Sequence, residues 1–357
     1  MAAMETAAQR PTASVIIPAR NEEACLGDCL KSLVSQSGGA FEIIVVDDHS
    51  TDRTREIAQS FSGVRVMDAG PLPGGWTGKN NAVTIGARNS RGEWFLFTDA
   101  DTVHLPGSLA RALAEAQENH AEMLSYSPEQ IAVTFWEMAV LPVVFAELAR
   151  QYPPSAVSDP SSPIAAANGQ YILIRRETYE AVGGHAAVAG DILEDVALAR
   201  AVKLAGRKIR FRYAPDAVRT RMYRNYRQLR HGWTKNLALL FPRPGWLAAK
   251  TLARWMVPWI ALPLAYVTHG WWSAIFILAF FYLAIRLKRS NFTWKKQILG
   301  ALFGMPMFAY LLLRSKRAHA NGKVAWKGRT YSDNSAWDKI STDKTGATKP
   351  DLLATGH

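Results

Sequence analysis

Three acidic segments hold the residues best suited to chemistry: Val45-Val46-Asp47-Asp48-His49-Ser50-Thr51-Asp52, Phe97-Thr98-Asp99-Ala100-Asp101 and Leu193-Glu194-Asp195-Val196. The first two each follow an apolar run that reads as a buried strand, and the third opens a helical pattern. Their carboxylates therefore fall at the edge of a folded scaffold. Carboxylates so placed can hold a divalent cation as hard oxygen ligands or take a proton from a reacting hydroxyl. Each also has a plainer reading. A lone Asp-x-Asp fits a solvated turn, while Asp48, Asp52 and one of Glu194 and Asp195 fit helix capping or dipole compensation. For Asp52 the plainer reading is the better one.

The segments around these acids alternate strand and helix. Ser14-Val15-Ile16-Ile17-Pro18 is a short β-rich run, and Asn21 followed by Glu22 and Glu23 predicts a capped helix to about Gln36. Phe41 to Val46 predicts a second strand, Ser50 or Thr51 the cap of a second helix, and Val64 to Met67 a third strand. A Pro/Gly loop from Gly70 to Gly78 leads into a helix from about Lys79, and Trp94 to Phe97 reads as a fourth strand. An amphipathic helix opens at Glu194 and ends near Gly206. This pattern predicts an α/β fold, a doubly wound sheet with helices on both faces, whose ligands bind beyond the carboxyl ends of the strands. Asp47, Asp48, Asp99 and Asp101 fall there.

Two further residues join the candidates. Lys79 follows Pro73-Gly74-Gly75-Trp76-Thr77-Gly78, where glycines let backbone approach a ligand and a cation at a helix start can meet phosphate, although the Walker spacing is absent. Trp76 has little core to join in such a loop and suits stacking on a sugar or base.

The 357 residues carry a formal charge of +12 and 48% hydrophobic residues, with apolar Trp-rich stretches concentrated after residue 245. So basic a chain calls for an anionic partner. Between Arg200 and Arg230 there are eleven Lys/Arg and one acid, Asp216, just ahead of the apolar third. A basic belt in that place reads as a lipid headgroup contact rather than a nucleic-acid surface, and no nucleic-acid-binding pattern is present. Cys25 and Cys29, without a nearby His, read as helix packing. Residues 1–13 hold no signal-peptide core and read as disordered, which leaves the N-terminal domain in the cytosol.

Trp255 to Ile285 contains no Lys, Arg, Asp or Glu. It predicts a transmembrane helical hairpin over about 247–285, with Arg254 near one interface and Trp271-Trp272 near the other. A third apolar segment, 298–313, is broken by Gly304 and Pro306. The positive-inside rule puts both Arg286-Lys296 and Arg314-Arg317 on the cytosolic side, which three full crossings cannot satisfy. A re-entrant or interfacial segment over 298–313 resolves the conflict and returns Trp326 to Tyr331 to the catalytic side. Residues 131–150, apolar but carrying Glu137, Pro142 and Glu147, predict an interfacial helix near the acceptor entrance. The membrane region spans 236–317, and 318–357 forms a cytosolic tail, disordered after about 331.

Ser14 to Asn21, Val45 to Asp52, the Asp99-x-Asp101 pair, Gly183-Gly184 and Glu194-Asp195 together resemble the successive motifs of family 2 glycosyltransferases with the GT-A fold, over roughly residues 12–235. The apolar C-terminus and Trp326-Lys327-Gly328-Arg329 resemble the subgroup of ceramide glucosyltransferases and hopanoid-associated transferases. The resemblance implies a mixed sheet and a catalytic domain over 14–235 that takes a nucleotide-sugar donor. In it Asp48 accepts a hydrogen bond from the base, with the backbone of Pro18 to Arg20 and the Glu22 side chain lining the same pocket. Asp101 is the carboxylate for a divalent metal, Mn2+ or Mg2+, and Asp99 faces the ribose or donor sugar. Lys79 meets the diphosphate. Asp195 is the general base of an inverting transfer, with Glu194 as its structural partner. Many membrane members carry Gln-x-x-Arg-Trp, whereas this chain reads Arg227-Gln228-Leu229-Arg230-His231-Gly232-Trp233. Arg230 and Trp233 are the nearest equivalents on the acceptor or diphosphate side, the alternative being a basic, headgroup-facing helix.

The sequence thus predicts a multi-pass enzyme of the cell membrane that moves a sugar from a nucleotide donor to a lipid or lipid-linked hydroxyl at the cytosolic face. A polysaccharide-chain synthase is the alternative. A nucleotidyltransferase lacks its Gly-rich basic loop between Ile17 and Glu23, and an inactive scaffold has no need of Asp101 and Asp195.

Overall fold

The computed structural model describes residues 11–37, 39–268, 271–322, 324–326 and 329–331. Its strands are β1 (Ala13–Ala19), β2 (Phe41–Asp47), β3 (Val64–Asp68), β4 (Trp94–Phe97), β5 (Thr102–His104), β6 (Met123–Ser127), β7 (Glu129–Gln130), β8 (Ile172–Arg175), β9 (Ile209–Tyr213), β10 (Val218–Thr220), β11 (Val324–Trp326) and β12 (Arg329–Tyr331). The helices are α1 (Leu26–Val34), α2 (Thr54–Gln59), α3 (Gly78–Arg88), α4 (Ser108–Glu118), α5 (Phe135–Gln151), α6 (Pro154–Ser158), α7 (Arg176–Ala181), α8 (Gly184–Ala187), α9 (Glu194–Leu204), α10 (Tyr226–Leu240), α11 (Pro244–Thr268), α12 (Trp272–Lys288), α13 (Trp294–Leu299) and α14 (Met305–Ala320).

Seven strands form one sheet in the order β3-β2-β1-β4-β8-β6-β9. The β1 pairs with β2 and β4 are parallel, while β8 runs antiparallel to β4 and β6, so the sheet is mixed. Period-two alternation divides its side chains between two cores. Val15 and Ile17 of β1 join the cluster containing Leu26, Leu30 and Leu33 of α1, whereas Ile16 joins Val83 of α3 and Leu198 of α9 on the other face. The register matters most for function. Ala19 stands opposite Asp47, and Phe97 of β4 opposite Ile172 of β8. The chain after β1, β2 and β4 and the chain before β8 therefore leave the sheet along one edge. A small sheet, β5-β10-β7, begins just after Asp101 and carries the chain from β10 to α10.

A second cluster joins α5, α10, α11, α12 and α14 through Val140, Val144, Trp233, Leu283 and Phe308. Helix α5 was expected at an interface, but most of its apolar residues are enclosed by these helices. Thr134 and Glu137 close its capping box, and Glu137, 1% exposed, pairs with Arg221. The boundary expected at residue 235 falls inside α10. Residues before 14 also extend the sheet region, since the Thr12 N–H donates to the Ala40 carbonyl. Residues 1–10 and those after 331 lie outside the described residues, as do His269 and Gly270.

Three local expectations change. Asn21 does not cap α1, which starts at Leu26 behind Cys25; it adopts φ 52°, and its side chain accepts the Thr51 N–H at 2.8 Å. Neither Ser50 nor Thr51 caps α2, whose first residue, Thr54, donates its N–H to Asp52 at 3.0 Å. The basic belt is partly paired within the fold. Arg207 meets Glu122, Arg210 and Arg212 meet Glu115, Arg219 meets Glu129 and Arg221 meets Glu137. Strand pairing and the packing of α4 and α5 bring these acids to the arginines, so five of the eleven basic residues of the belt are matched within the fold.

Helices α11 and α12 pack against each other as the expected hairpin. At about 1.5 Å per residue they are about 38 and 26 Å long, and α12 falls short of a hydrocarbon core of about 30 Å. Their outer faces expose Trp259, Ile260, Leu278 and Phe281. Among the described residues one helical run, Trp294–Ala320, is long and apolar enough to cross a membrane, and half of that apolar stretch is buried inside the protein. Length and apolarity together are met by this one run among the described residues, so the several membrane-spanning helices expected from sequence are not confirmed. Nor is the third segment broken: a π-helical turn at Gly300–Gly304 joins α13 to α14, and the Leu302 carbonyl, four residues before Pro306, accepts the Trp255 indole N–H at 3.0 Å in place of the N–H that proline lacks.

Gly304 lies against the backbone of α5, and a Cβ there would collide with the Ala139 carbonyl oxygen. Gly304→Ala is therefore expected to destabilise the α5–α14 packing by about 1–3 kcal/mol, measured as a lowered thermal midpoint of the detergent-solubilised protein; an unchanged midpoint would show that the two helices are not held this tightly.

Candidate active site

The sheet edge gathers the first two acidic segments. The Asp48 N–H donates to the Ala19 carbonyl at 2.8 Å, and the Arg20 guanidinium donates to the Asp48 carbonyl at 2.6 Å. The Asn21–Thr51 bond and the Glu22 N–H donated to the Thr54 hydroxyl at 2.7 Å lace the two loops together. Asp47 is buried, accepting from the Ser50 N–H at 3.3 Å with Arg55 at 3.7 Å. Asp48, also buried, lines the cavity beyond this edge.

The third segment arrives by a clamp. Thr77 caps α3 by accepting the Asn80 N–H. The Asn80 amide donates to the carbonyls of Val188, Ala189 and Asp191 at 2.8, 3.0 and 3.2 Å, and the Thr77 N–H donates to Ala189 at 2.8 Å. This anchors the segment just ahead of Glu194. Gly183 and Gly184 open α8, the short helix that precedes this segment. Both have positive φ, and a Cβ on Gly184 would stand 2.5 Å from the Tyr179 ring, whose hydroxyl pairs with His185.

Lys79 then sits between two acids, its Nζ 2.7 Å from Asp99 and 2.7 Å from Glu194. Burial opposes the ammonium charge, but these carboxylates outweigh it and hold the Lys79 pKa well above the ordinary lysine value. Burial likewise works against Glu194, yet Lys79 and Lys235 keep its pKa below the usual range. Asp195 forms no ion pair among the described residues, and the pull of Lys79 on it is outweighed. One oxygen accepts the Gly169 N–H at 2.9 Å and the other the Val196 N–H at 2.8 Å, while burial, with Glu194 adding repulsion, raises its pKa to about 6. Its neighbour Gly169 leaves little room: a Cβ would stand 3.0 Å from Lys79 Nζ and 3.4 Å from Glu194.

A cavity of ≈ 440 Å3 opens over this cluster, a size suited to a small-molecule ligand. Of the residues singled out from sequence, Pro18, Arg20, Glu22, Asp48, Lys79, Asp99, Asp101, Glu194, Asp195 and Trp233 line it. Trp76 and Arg230 do not. Arg230 lies 5.8 Å over the Tyr226 ring, and Gln228 of the imperfect motif accepts the Arg224 N–H at 2.8 Å, next to the Asn225 cap of α10. Gln228 is spent on starting the helix.

The sequence reading missed Lys235 and Gly169. Lys235 lines the cavity from α10; burial lowers its pKa, with Glu194 pulling the other way. Its position two residues past Trp233 in a basic helix was the signal available. Gly169 had none, because its importance comes from the close approach of three side chains to its backbone. Trp233, 2% exposed, turns an indole N–H with no hydrogen-bond partner among the described residues toward the same wall.

Among the described residues no group of three His, Cys, Asp or Glu side chains could hold a metal ion by itself. Asp101 and Asp99 supply hard oxygens at the wall, so an ion fits here only if phosphate and water complete its shell, the habit of Mg2+ in sites of one or two carboxylates.

Lys79→Met is expected to cost about 2–3 kcal/mol of stability, somewhat less than breaking a fully buried pair because Lys79 keeps part of its side chain in water. Denaturant unfolding of the solubilised protein measures this, and a loss below about 0.5 kcal/mol would mean the cluster is not held by this cation.

Comparison with known proteins agrees with this arrangement. Residues 14–182 match the family model of "Glycosyl transferase family 2". The chain is 30% identical over 345 residues to the 4,4'-diaponeurosporenoate glycosyltransferase of Staphylococcus aureus strain MRSA252, covering 89% of this chain and 88% of the relative. The same enzyme of strain USA300 is 29% identical over the same coverage. In structure, the chain is similar to the mannosyltransferase PcManGT from Pyrobaculum calidifontis, solved in complex with GDP-Man and Mn2+, with a TM-score of 0.50, 17% identity and 87% of each chain covered. With that coverage by a relative of this identity, and with the family's motifs assembled on one sheet edge, the chain belongs to glycosyl transferase family 2.

Proposed function

We propose that this family 2 glycosyltransferase transfers a sugar, with inversion, from a nucleotide-sugar donor to a lipid or lipid-linked hydroxyl, with Asp195 as general base. The observation that carries the proposal is the separation of roles between adjacent acids. Lys79 is ion-paired with Glu194, while Asp195 forms no ion pair of its own among the described residues and, although Lys79 acts on it, holds a pKa of about 6 on the cavity wall. A carboxylate so poised accepts a proton near neutral pH better than an ordinary aspartate. The relative's name, 4,4'-diaponeurosporenoate glycosyltransferase, is compatible with a lipid acceptor.

In this reading Asp48, Arg20, Glu22 and the Pro18 backbone hold the nucleotide, and Lys79 with Lys235 faces the diphosphate. Asp99 lies toward the ribose or donor sugar. Trp76 and Arg230, outside the cavity lining, would reach substrate only after a movement of their segments. The acceptor hydroxyl gives its proton to Asp195 as its oxygen bonds to the anomeric carbon. The bond to the diphosphate breaks on the opposite face, and its electrons leave with the diphosphate. Asp101, with Asp99 nearby, would hold Mn2+ or Mg2+, and such an ion neutralises charge on the departing phosphates. The exposed apolar faces of α11 and α12 support attachment to the cell membrane, with the catalytic unit at the cytosolic face.

Asp195 must be ionised to act as base, so the rate is expected to fall about tenfold per unit below pH 6 and to level off above it. Asp195→Asn should lower turnover by about 10²- to 10⁴-fold and remove that limb. The assay is nucleotide release by the detergent-solubilised protein from UDP-, GDP- and dTDP-sugars with extracted lipid. A variant that keeps both turnover and the acid limb would reject Asp195 as base.

The metal is tested separately. Chelation should abolish transfer, Mn2+ or Mg2+ should restore it, and Asp101→Asn should raise the metal concentration needed. Transfer that persists unchanged in chelator would overturn the metal-assisted reading.

A further inference from the structure

The cavity does not end at the acids. From Asp195 its wall continues along α5 to the connection between α12 and α13. Tyr152 stands within the field of Asp195, its hydroxyl donating to the Leu240 carbonyl at 2.9 Å. Leu148 and Phe145 follow on the same helix, and the Phe145 ring lies 6.3 Å from Trp233 and 6.3 Å from Phe292. At Phe292 the wall becomes cationic. Lys296 sits 5.7 Å over that ring, and Arg289 lines the cavity beside it. Their neighbour Arg286 is matched by Glu147 at 2.8 Å, but neither Arg289 nor Lys296 has a carboxylate partner among the described residues. From Phe145 to Tyr152 the helix rises about 10 Å.

We propose that this lobe is the acceptor subsite and that it selects an apolar-bodied acceptor bearing a second, anionic group, a carboxylate or phosphate, which Arg289 and Lys296 hold while the reacting hydroxyl lies at Asp195. The proposal rests on the lipid-acceptor reading and adds to it the acidic group, placed beyond the stretch of α5 between Tyr152 and Phe145. Two cations without carboxylate partners at the end of an aromatic wall fit an anion better than a neutral headgroup; Arg289 is exposed and Lys296 half-buried, so both are open to such a group. The cationic end serves one other source of the same chemistry, the phosphate of a bilayer lipid, and the test separates the two.

Full-length protein in neutral detergent is irradiated with an ω-hydroxy fatty acid carrying a mid-chain diazirine, and in parallel with the diol of the same length. The acid is expected to label the segments 145–152 and 289–296 about tenfold more than the diol, the effect of one to two charge-assisted contacts. In R289Q/K296Q that preference should vanish while the diol labels as before. Equal labelling by acid and diol in the unmodified protein, or labelling confined to the outer faces of α11 and α12, would overturn the proposal without relying on any variant. If R289Q/K296Q instead loses only binding to anionic phospholipid vesicles, the two cations serve the bilayer and the proposal fails. Donor nucleotide release by the same preparation is read separately, so a failed donor reading shows as absent release and not as altered labelling.

Discussion

One ammonium group ties the active site together. Lys79 reaches Asp99 beyond β4 and Glu194 at the start of α9 with equal 2.7 Å contacts, and so joins three elements far apart in sequence. Carboxylates gathered this closely in a half-dry cleft would repel one another without a cation between them. The arrangement leaves an asymmetry of charge. Glu194 is neutralised, while Asp195, turned toward the Gly169 and Val196 N–H groups, keeps a raised proton affinity. A side chain at position 169 would crowd Lys79 Nζ, 3.0 Å from its Cβ, so Lys79 would have to give way.

The clamp depends in turn on the Gly/Pro loop before Lys79. Asn80 spends its amide donor on three carbonyls of the segment ahead of α9, so the loop read from sequence as a ligand-approach device also fixes the distance between Lys79 and Glu194. Trp76 belongs to that loop but stays outside the cavity lining, since the next residue, Thr77, is already bound to Ala189 and to its own helix cap.

The C-terminal helices are part of the site as well as an apolar attachment. Helix α10 crosses from the catalytic sheet into the second cluster and carries both Trp233 and Lys235 to the cavity, while α5, enclosed by α10, α12 and α14, supplies its apolar wall. β11 lies against α10. Arg207, Arg210, Arg212 and Arg219 are spent on acids of neighbouring elements, so part of the high net charge is matched inside the fold.

Local pattern alone determined the first four strands, their alternation with helices and the placing of Asp48, Asp99 and Asp101 at one sheet edge; the later strands, β6, β8 and β9 of the main sheet among them, were not read from it. Buried strands announce themselves by continuous apolar runs, and parallel pairing forces their carboxyl ends to one side. The motif resemblance added Asp195 and the family. Tertiary structure decided what depends on approach between distant residues: that Asn21 binds the β2–α2 loop instead of capping α1, that Lys79 bridges two acids, that Lys235 and Gly169 belong to the site while Arg230 and Trp76 do not line it, and that Trp294–Ala320 runs unbroken. Such contacts are set by the register of strands and the packing of helix against helix, and a linear pattern of polarity carries no record of which acid will meet which base.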